Sequence, residues 1–341
     1  MTDFRFEGDV VALPKGAWSK AHRVTLSWRG RDLLAFTQGP FRTYLYPLYT
    51  PDGFAVTAEG PVDHPHHSSV WIGADHLHCH VPAAGGRIEE YTYCFYLNET
   101  FQGRAPGRIR EIGSEAVERG PAHFQVVQRN EWRGPREWGA EDGRVVAHEA
   151  RTVDIHPGET FHLIDIRSRL EPTQWDIAIG PTRHAYFNVR VAESIRATKG
   201  GTVVDSAGRV GGESISGPGA QWVDYAGPVG GGRRAGIAVL PRSQPTDLTW
   251  FVYDWGTVTV NPFFPGGRLV RVGDAFTFEV RLVVHDGDMA AIDLDALQEG
   301  SGDQSASCVR MSGNQRGIPT AGSRSADWSA RGGVPQTREE P

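Results

Sequence analysis

The sequence predicts an all-β fold, a large antiparallel two-sheet sandwich, and three observations carry that prediction. Short runs of β-branched and aromatic residues recur along a chain that has fifteen Phe, ten Trp and nine Tyr; such side chains suit a pleated, half-buried surface. Several runs alternate apolar and polar residues, as in FHLIDIRSRL and AFTFEVRLVV, which is the two-residue period of a strand with one face in a core. Glycine and proline, at 42 and 22 residues, punctuate the gaps, while sustained helical periodicity is almost absent. Strands at regular spacing with turn signals between them indicate two packed sheets.

Along the chain, strands are expected at Arg23–Trp28, Leu33–Gln38, Thr43–Tyr49, Val70–His80, Arg87–Phe101 and Phe124–Gln128, then at Arg144–Ile155 and Thr160–Leu170. Further strands follow at Gly236–Leu240, Thr249–Tyr253, Thr257–Val260 and Ala275–Val284. ALPKG, TPDG, AAGG, IHPGE, SGPG, PVGGG and FPGG supply the turns. Residues 1–288 are read as one sandwich domain, and residues 289–299 as holding one short helix, over Met289–Leu297. From Gly300 to Pro341 the chain is rich in Ser, Gly, Arg, Gln and Pro. It has too few large apolar residues to offset its ordering entropy, so a disordered tail is expected.

A length of 341 residues with 39% hydrophobic content is ample for a sizeable core. A net charge of −6 without a block of like charge gives no case for nucleic acid or an anionic membrane as partner. No apolar run is long enough to span a bilayer, and MTDFRFEGDVVALPKG lacks the basic-then-apolar pattern of a signal peptide. Cys79, Cys94 and Cys308 are too scattered for a disulfide framework. The expectation is a soluble cytoplasmic protein, with oligomerisation left open. There is no phosphate-cradling glycine loop at a strand–helix junction, no C-x-x-C and no G-x-S-x-G, which removes support for nucleotide binding, zinc fingers and hydrolase triads.

The chemistry concentrates in DHPHHSSVWIGADHLHCH, Asp63 to His80, which holds six of the thirteen histidines. Pro65 stiffens the first half as a turn or strand edge, and three histidines on a stiff loop can face a cleft. His66 and His67, before the apolar VWIG, suit acid/base work or hydrogen bonding to substrate. In the second half, His76, His78 and His80 fall at period two, so on a strand they share one face with Leu77 and Cys79 on the other. An alternative is a divalent-metal site built from His64, His66, His67, His76 and His78, with Asp63 or Asp75 adding oxygen. Arg42, Tyr44 and Tyr46 also alternate onto one face, where tyrosine rings could stack on a sugar and Arg could bind a carboxylate or hydroxyl. Glu89, Glu90, Tyr91 and Tyr93 form another polar-aromatic strand, Trp71 reads as core, and Asp224 reads as a turn carboxylate.

Two resemblances add to these residues. YLYPLYTPDGFAVTAEGPVDHPHHSSVWIGAD, FNVRVAESIRATKGGTVVDSAGRVGGES, QWVDYAGPVGG, GIAVL and WFVYDWGTVTVNPF resemble the PmoA-like proteins, a soluble bacterial family named after a methane monooxygenase subunit. The resemblance spans roughly Thr43 to Val284. Methane oxidation is not expected, since that enzyme is a membrane protein and this chain has no spanning segment. Arg183-His184-Ala185-Tyr186-Phe187-Asn188 is similar to the N-H-x-Y-F-N strand of the galactose mutarotase-like proteins, in which the histidine is the general acid of sugar ring opening. DHPHHSSVW resembles their segment with a second sugar-contacting histidine, and FFPGGRLVRVGDAFTFEVRLVVH resembles their ending.

The fold this second resemblance implies is the mutarotase supersandwich, with a sugar cleft on a concave sheet. Mutarotases carry a glutamate base in a late strand; here Tyr253–Asn261 has none, and Asp254 is its carboxylate. The resulting expectation is a carbohydrate-active protein, epimerase/isomerase- or lyase-like, acting by acid/base catalysis on a sugar or sugar-derived cyclic substrate. His184 would be the acid, His66 and His67 would polarise substrate or transfer protons, and Asp254 would be the base. Asp63, His64, Arg42, Tyr44, Glu90, Arg183 and Asn188 would contact substrate. No cofactor is expected in this scheme. A metal-dependent enzyme and a non-catalytic sugar-binding module are the alternatives.

Overall fold

The computed structural model describes residues 3–10, 22–137, 139–242, 248–289 and 292–299. Almost all regular structure among them is β, in three sheets. A nine-stranded sheet runs in spatial order Phe4–Val10, His22–Trp28, Arg31–Gln38, Thr43–Leu48, Val70–Ala74, Ala185–Arg190, Thr257–Asn261, Thr249–Tyr253 and Gly217–Pro218. An eight-stranded sheet runs Thr202–Asp205, Val223–Gly230, Arg233–Pro241, Phe276–Asp286, Phe161–Pro172, Val145–His156, His123–Arg133 and Arg108–Gly120. Pairing in both is antiparallel.

The two large sheets pack face to face, as the alternation in the sequence requires. Leu34, Phe36, Ile72, Phe187 and Val258 from one sheet meet Val126, Val153, Ile164, Phe276 and Phe278 from the other in one buried cluster. Tyr186 lies edge-on to Phe276 at 5.2 Å, and Phe4 approaches Phe124 at 5.2 Å. This core also holds an ion pair: Glu149 accepts from Arg151 at 2.8 and 2.9 Å, from Trp132 Nε1 at 3.1 Å and from Ser168 Oγ at 2.8 Å. The outer face of the eight-stranded sheet is closed by a short helix, Leu294–Glu299, whose Leu294 and Leu297 pack on Leu163, Trp222, Leu240 and Val283. That helix falls later than the Met289–Leu297 expected. The expected disordered tail, 300–341, lies outside the described residues.

A third, five-stranded sheet, Arg268–Val270, Asp176–Ile179, Leu77–Pro82, Ile88–Cys94 and Ala105–Pro106, adds to the two expected. It corrects one boundary. Val70–His80 is not a single strand: Val70–Ala74 pairs within the nine-stranded sheet, and after Asp75 and His76 the chain enters the third sheet as Leu77–Pro82. Within that second strand the expected sidedness holds, with Leu77 and Cys79 buried and His78 and His80 partly exposed. The described cysteines, Cys79 and Cys94, are buried and free. No helix among the described residues is long and apolar enough to cross a membrane.

Candidate active site

The site lies on the face of the nine-stranded sheet turned away from the core. Tyr44, Trp71, Asn188 and Thr259 are directly paired across four neighbouring strands, so their side chains share that face. Their sequence neighbours Leu45, Val70, Ile72, Phe187, Val189 and Val258 point into the main core instead. Tyr44 and Trp71 form a separate buried cluster with Cys94 and Tyr96. Tyr96 reaches this face because Gly73 has no side chain: a Cβ there would lie 2.5 Å from the carbonyl oxygen of Phe95. The Phe95 amide donates to Ala74 at 2.7 Å, which draws the segment after Cys94 over the sheet.

The loop from Glu59 to Ser69 covers the middle of this row. Backbone bonds from Gly60 to His67, and from His67 to His64, fold it into compact turns around Pro65. Arg42, buried beneath, ties the loop to the next segment: it donates to the His66 carbonyl at 2.5 Å, Ser68 Oγ at 3.3 Å, the Tyr96 carbonyl at 2.7 Å and Asn98 Oδ1 at 2.8 Å. At one end of the loop Asp63 accepts from Arg190 Nη2 at 2.6 and 2.8 Å and from Arg196 Nη2 at 3.3 Å. Burial would raise the Asp63 carboxyl, but Arg190, His64 and Arg196 outweigh it and hold the group well below the usual carboxylate range. His64 stacks on Trp255 at 4.2 Å, and Arg190 lies over the same indole at 4.7 Å.

From there the rings form a continuous band. His64 stacks on His67 at 4.8 Å, His66 lies 4.7 Å from His67 and 5.5 Å from Tyr96, and Tyr96 stacks on His184 at 5.1 Å. His67 Nε2 is 3.2 Å from the Tyr96 hydroxyl. Burial, followed by the charges of Arg42, His64, His184 and Arg190, pulls the His66 imidazole down to about 3. Burial also pushes His67 far below the ordinary histidine value. Both are therefore neutral at pH 7, hydrogen-bonding groups rather than cations.

The band ends at a carboxylate that holds two imidazoles. Asp75 is buried, at the point where the chain leaves the nine-stranded sheet for the third sheet. Its Oδ2 lies 3.1 Å from His184 Nδ1 and its Oδ1 lies 2.7 Å from His76 Nδ1. Thr182 Oγ1 also donates to Oδ1, and Arg104 Nη2 is 3.9 Å from Oδ2. Burial would raise the Asp75 carboxyl; the bonds from His184, Thr182 and His76 reverse this and bring it down to about 2. A carboxylate only accepts, so each Nδ1 carries a proton, and either ring in its neutral form presents a bare Nε2. The His184 side chain is 42% exposed, so its outer nitrogen side is open to a ligand.

The structure thus brings together Asp63, His64, His66, His67, His184 and, beneath them, Arg42. Asn188 is wholly buried, bonding the Tyr186 carbonyl and Thr259, and supports the floor. Tyr44 is buried too and donates to Glu59, which also pairs with Arg23. Arg183 is exposed beside His184. Glu90 is exposed on the third sheet, 2.9 Å from His78 and 3.8 Å from His80. His76 and His78 are 6.0 Å apart between ring centres. Among the described residues no three His, Cys, Asp or Glu are arranged to hold a metal ion. Asp254 Oδ1 accepts from the Gly212 amide at 2.8 Å. Asp224 is no turn carboxylate but sits within Val223–Gly230, buried and 2.9 Å from His285.

Asp75 as an orienting group, Tyr96, Trp255, Arg190 and Arg196 were not assigned from the sequence. Arg190 had one signal: it is two residues from Asn188, on the same strand face. A cavity of about 240 Å³ lies elsewhere, between the two large sheets, lined by Phe6, His22, Phe36, Gln38, Glu111 and Gln128 among others.

The depressed histidines predict acid sensitivity. The unfolded chain takes up protons as pH falls through about 6.5, whereas folded His66 and His162 resist until about 3 and about 4. Stability from these groups is therefore full above about 6.5 and lost on the way down to their folded values. Asp75 adds a loss between about 3.8 and about 2, while His285, raised by Asp224, opposes the trend. The melting temperature should be several degrees lower at pH 4.5 than at pH 7.5; equal values would contradict these buried neutral imidazoles.

No curated protein matches the chain. Among solved structures it is similar to a glycoside hydrolase family 97 enzyme from Pseudoalteromonas sp. strain K8, at 9% identity and a TM-score of 0.34, covering 89% of this chain and 38% of that one. It is also similar to the Slr1438 protein from Synechocystis sp. PCC 6803, at 11% identity and a TM-score of 0.28, covering 84% and 98%. A third likeness is to the 4-alpha-glucanotransferase from Thermococcus litoralis, at 10% identity and a TM-score of 0.29, covering 82% and 39%. The chain thus spans 38% and 39% of the glycoside hydrolase and glucanotransferase chains, and such distant likenesses decide nothing about activity. None of these matches supports the PmoA-like resemblance. The family model that does match covers residues 23–299, and the chain belongs to that family, a family of unknown function designated DUF6807.

Proposed function

We propose that the protein is a carbohydrate-active enzyme that transfers protons on a sugar or sugar-derived cyclic substrate. One observation carries the proton-transfer part: a buried carboxylate, Asp75, holds both His184 and His76 by Nδ1. The arrangement fixes both tautomers, with one carboxylate holding two rings that each turn Nε2 away from it. Whichever ring takes a proton is stabilised by Asp75, and the other remains a base. Opening a cyclic hemiacetal needs that combination. One group removes the anomeric hydroxyl proton, the C–O bond to the ring oxygen breaks, and a second group delivers a proton to that oxygen.

His184, once it has taken a proton from solvent at Nε2, is the acid in this scheme, and His76, with Nε2 bare, is the base, the part first given to Asp254. His66, neutral at pH 7, hydrogen-bonds a substrate hydroxyl. The choice of a sugar rests on the resemblance of RHAYFN and DHPHHSSVW to the mutarotase-like proteins. The test is NMR of reducing sugars and sugar acids incubated with the protein. Accelerated anomer exchange or a new product, lost in His184→Ala, is expected. Spectra identical with and without protein across the panel would sink the proposal.

A further inference from the structure

The three guanidinium groups beneath this site outnumber the acids that meet them. Arg42 is 2% exposed, and the oxygens that accept from it are all uncharged: two backbone carbonyls, a hydroxyl and an amide. A buried cation without a counter-charge is costly, and structures keep one where the field is used. Arg190, with a side chain 0% exposed, spends only Nη2 on Asp63; its Nε and Nη1 have no hydrogen-bond partner among the described residues. Arg196 shares the same Asp63, has its Nε without a partner, and otherwise meets Glu193 at 2.5 Å, an exposed side chain. Asp63 and Glu193 thus face Arg190 and Arg196, while Arg42 faces no acid. The chain as a whole is negative, at −6, so this positive ground is local. The neutral state of His66 and His67 agrees with it, since Arg42 and Arg190 both disfavour protonation there.

We infer that the ligand of this site is an anion, a sugar that carries a carboxylate, drawn to the ground between Asp63 and His66 by Arg42, Arg190 and Arg196. The inference rests on the sugar-chemistry proposal for the identity of the ring and on the arginines for the charge. One carboxylate supplies the single negative charge that Arg42 lacks. A planar carboxylate also suits the paired N–H groups of a guanidinium such as that of Arg196. Uncharged sugars gain the hydrogen bonds but not this Coulomb attraction, which low local dielectric strengthens.

Binding is read from the imidazole NMR signals of His66 and His184 on titrating the full chain with galacturonate, galactose or tartrate, an acyclic hydroxy acid. Galacturonate binding about tenfold or more tighter than galactose, with the difference shrinking as salt rises, is expected. Arg196→Gln should remove most of that preference, read as the ratio of galacturonate to galactose affinity in the same variant. Arg196 is the variant of choice because its side chain is 10% exposed, against 0% for Arg190. Galactose binding as tightly as galacturonate would overturn the charge inference and leave the sugar reading standing. Tartrate binding without either sugar would do the reverse, supporting the anion and overturning the ring. Failure of all three probes to shift either histidine would overturn both.

Discussion

His184→Ala is expected to lower turnover by ~10²–10⁴-fold, the range set by losing a positioned acid or base. Folding should survive, because the His184 side chain is 42% exposed and its one side-chain bond is to Asp75. Asp75→Asn should lower turnover by a similar ~10²–10⁴-fold without touching substrate. Asparagine keeps the volume but can turn its amide N–H toward Nδ1 and reverse the tautomer. KM should change little in Asp75→Asn while kcat falls, and steady-state kinetics on any substrate found by NMR separates the two. A variant with full turnover would contradict the orienting role. His66→Gln serves as a contrast: as a hydrogen-bonding group, His66 should affect KM more than kcat.

The largest effect on stability is expected away from the site. Arg151→Met should cost ~3–5 kcal/mol, because it strands Glu149 in the core between the large sheets. With Arg151 gone, burial dominates and Glu149 should take up a proton, so the variant should be less destabilised at lower pH than at pH 8. Glu149→Gln combined with Arg151→Met should cost less than Arg151→Met alone, since no uncompensated charge remains. Urea unfolding of the two variants checks this. A double variant weaker than Arg151→Met would show that the pair itself, rather than the stranded charge, sets the cost.

Strands with one face in the core were legible from alternation. Thr249–Tyr253 matches residue for residue, and Phe161–Pro172 and Phe276–Asp286 begin one residue later and end two residues later than expected. Arg108–Gly120 was not legible, because most of RIREIGSEAVERG is exposed at the sheet edge and carries no apolar period. Its pairing with His123–Arg133, rather than its own composition, makes it a strand. The break at Asp75–His76 was equally hidden: no glycine or proline marks it, and only the passage from one sheet to another explains it.

The histidine loop and His184 were legible as chemistry, through clustering and motif. Their convergence was not, since Asp75 and His184 are 109 residues apart and meet only because Val70–Ala74 pairs with Ala185–Arg190. Asp254 drew attention as the carboxylate of its stretch, yet its neighbour Trp255 is what joins the site, by stacking on His64. Asn188 and Arg42 looked like contact groups because polar residues in strands invite that reading; both are buried, which leaves Arg42 to act on a ligand through its charge.

The most direct test is the tautomeric state of His184, read from long-range ¹H–¹⁵N spectra of the imidazoles at neutral pH, in the wild type and in Asp75→Asn. A proton on Nδ1 with a bare Nε2 in the wild type, for His184 and His76 alike, and loss of that preference in Asp75→Asn, is the predicted result. A His184 ring carrying its proton on Nε2, or exchanging between tautomers like free histidine in both proteins, would contradict an acid/base site built on Asp75.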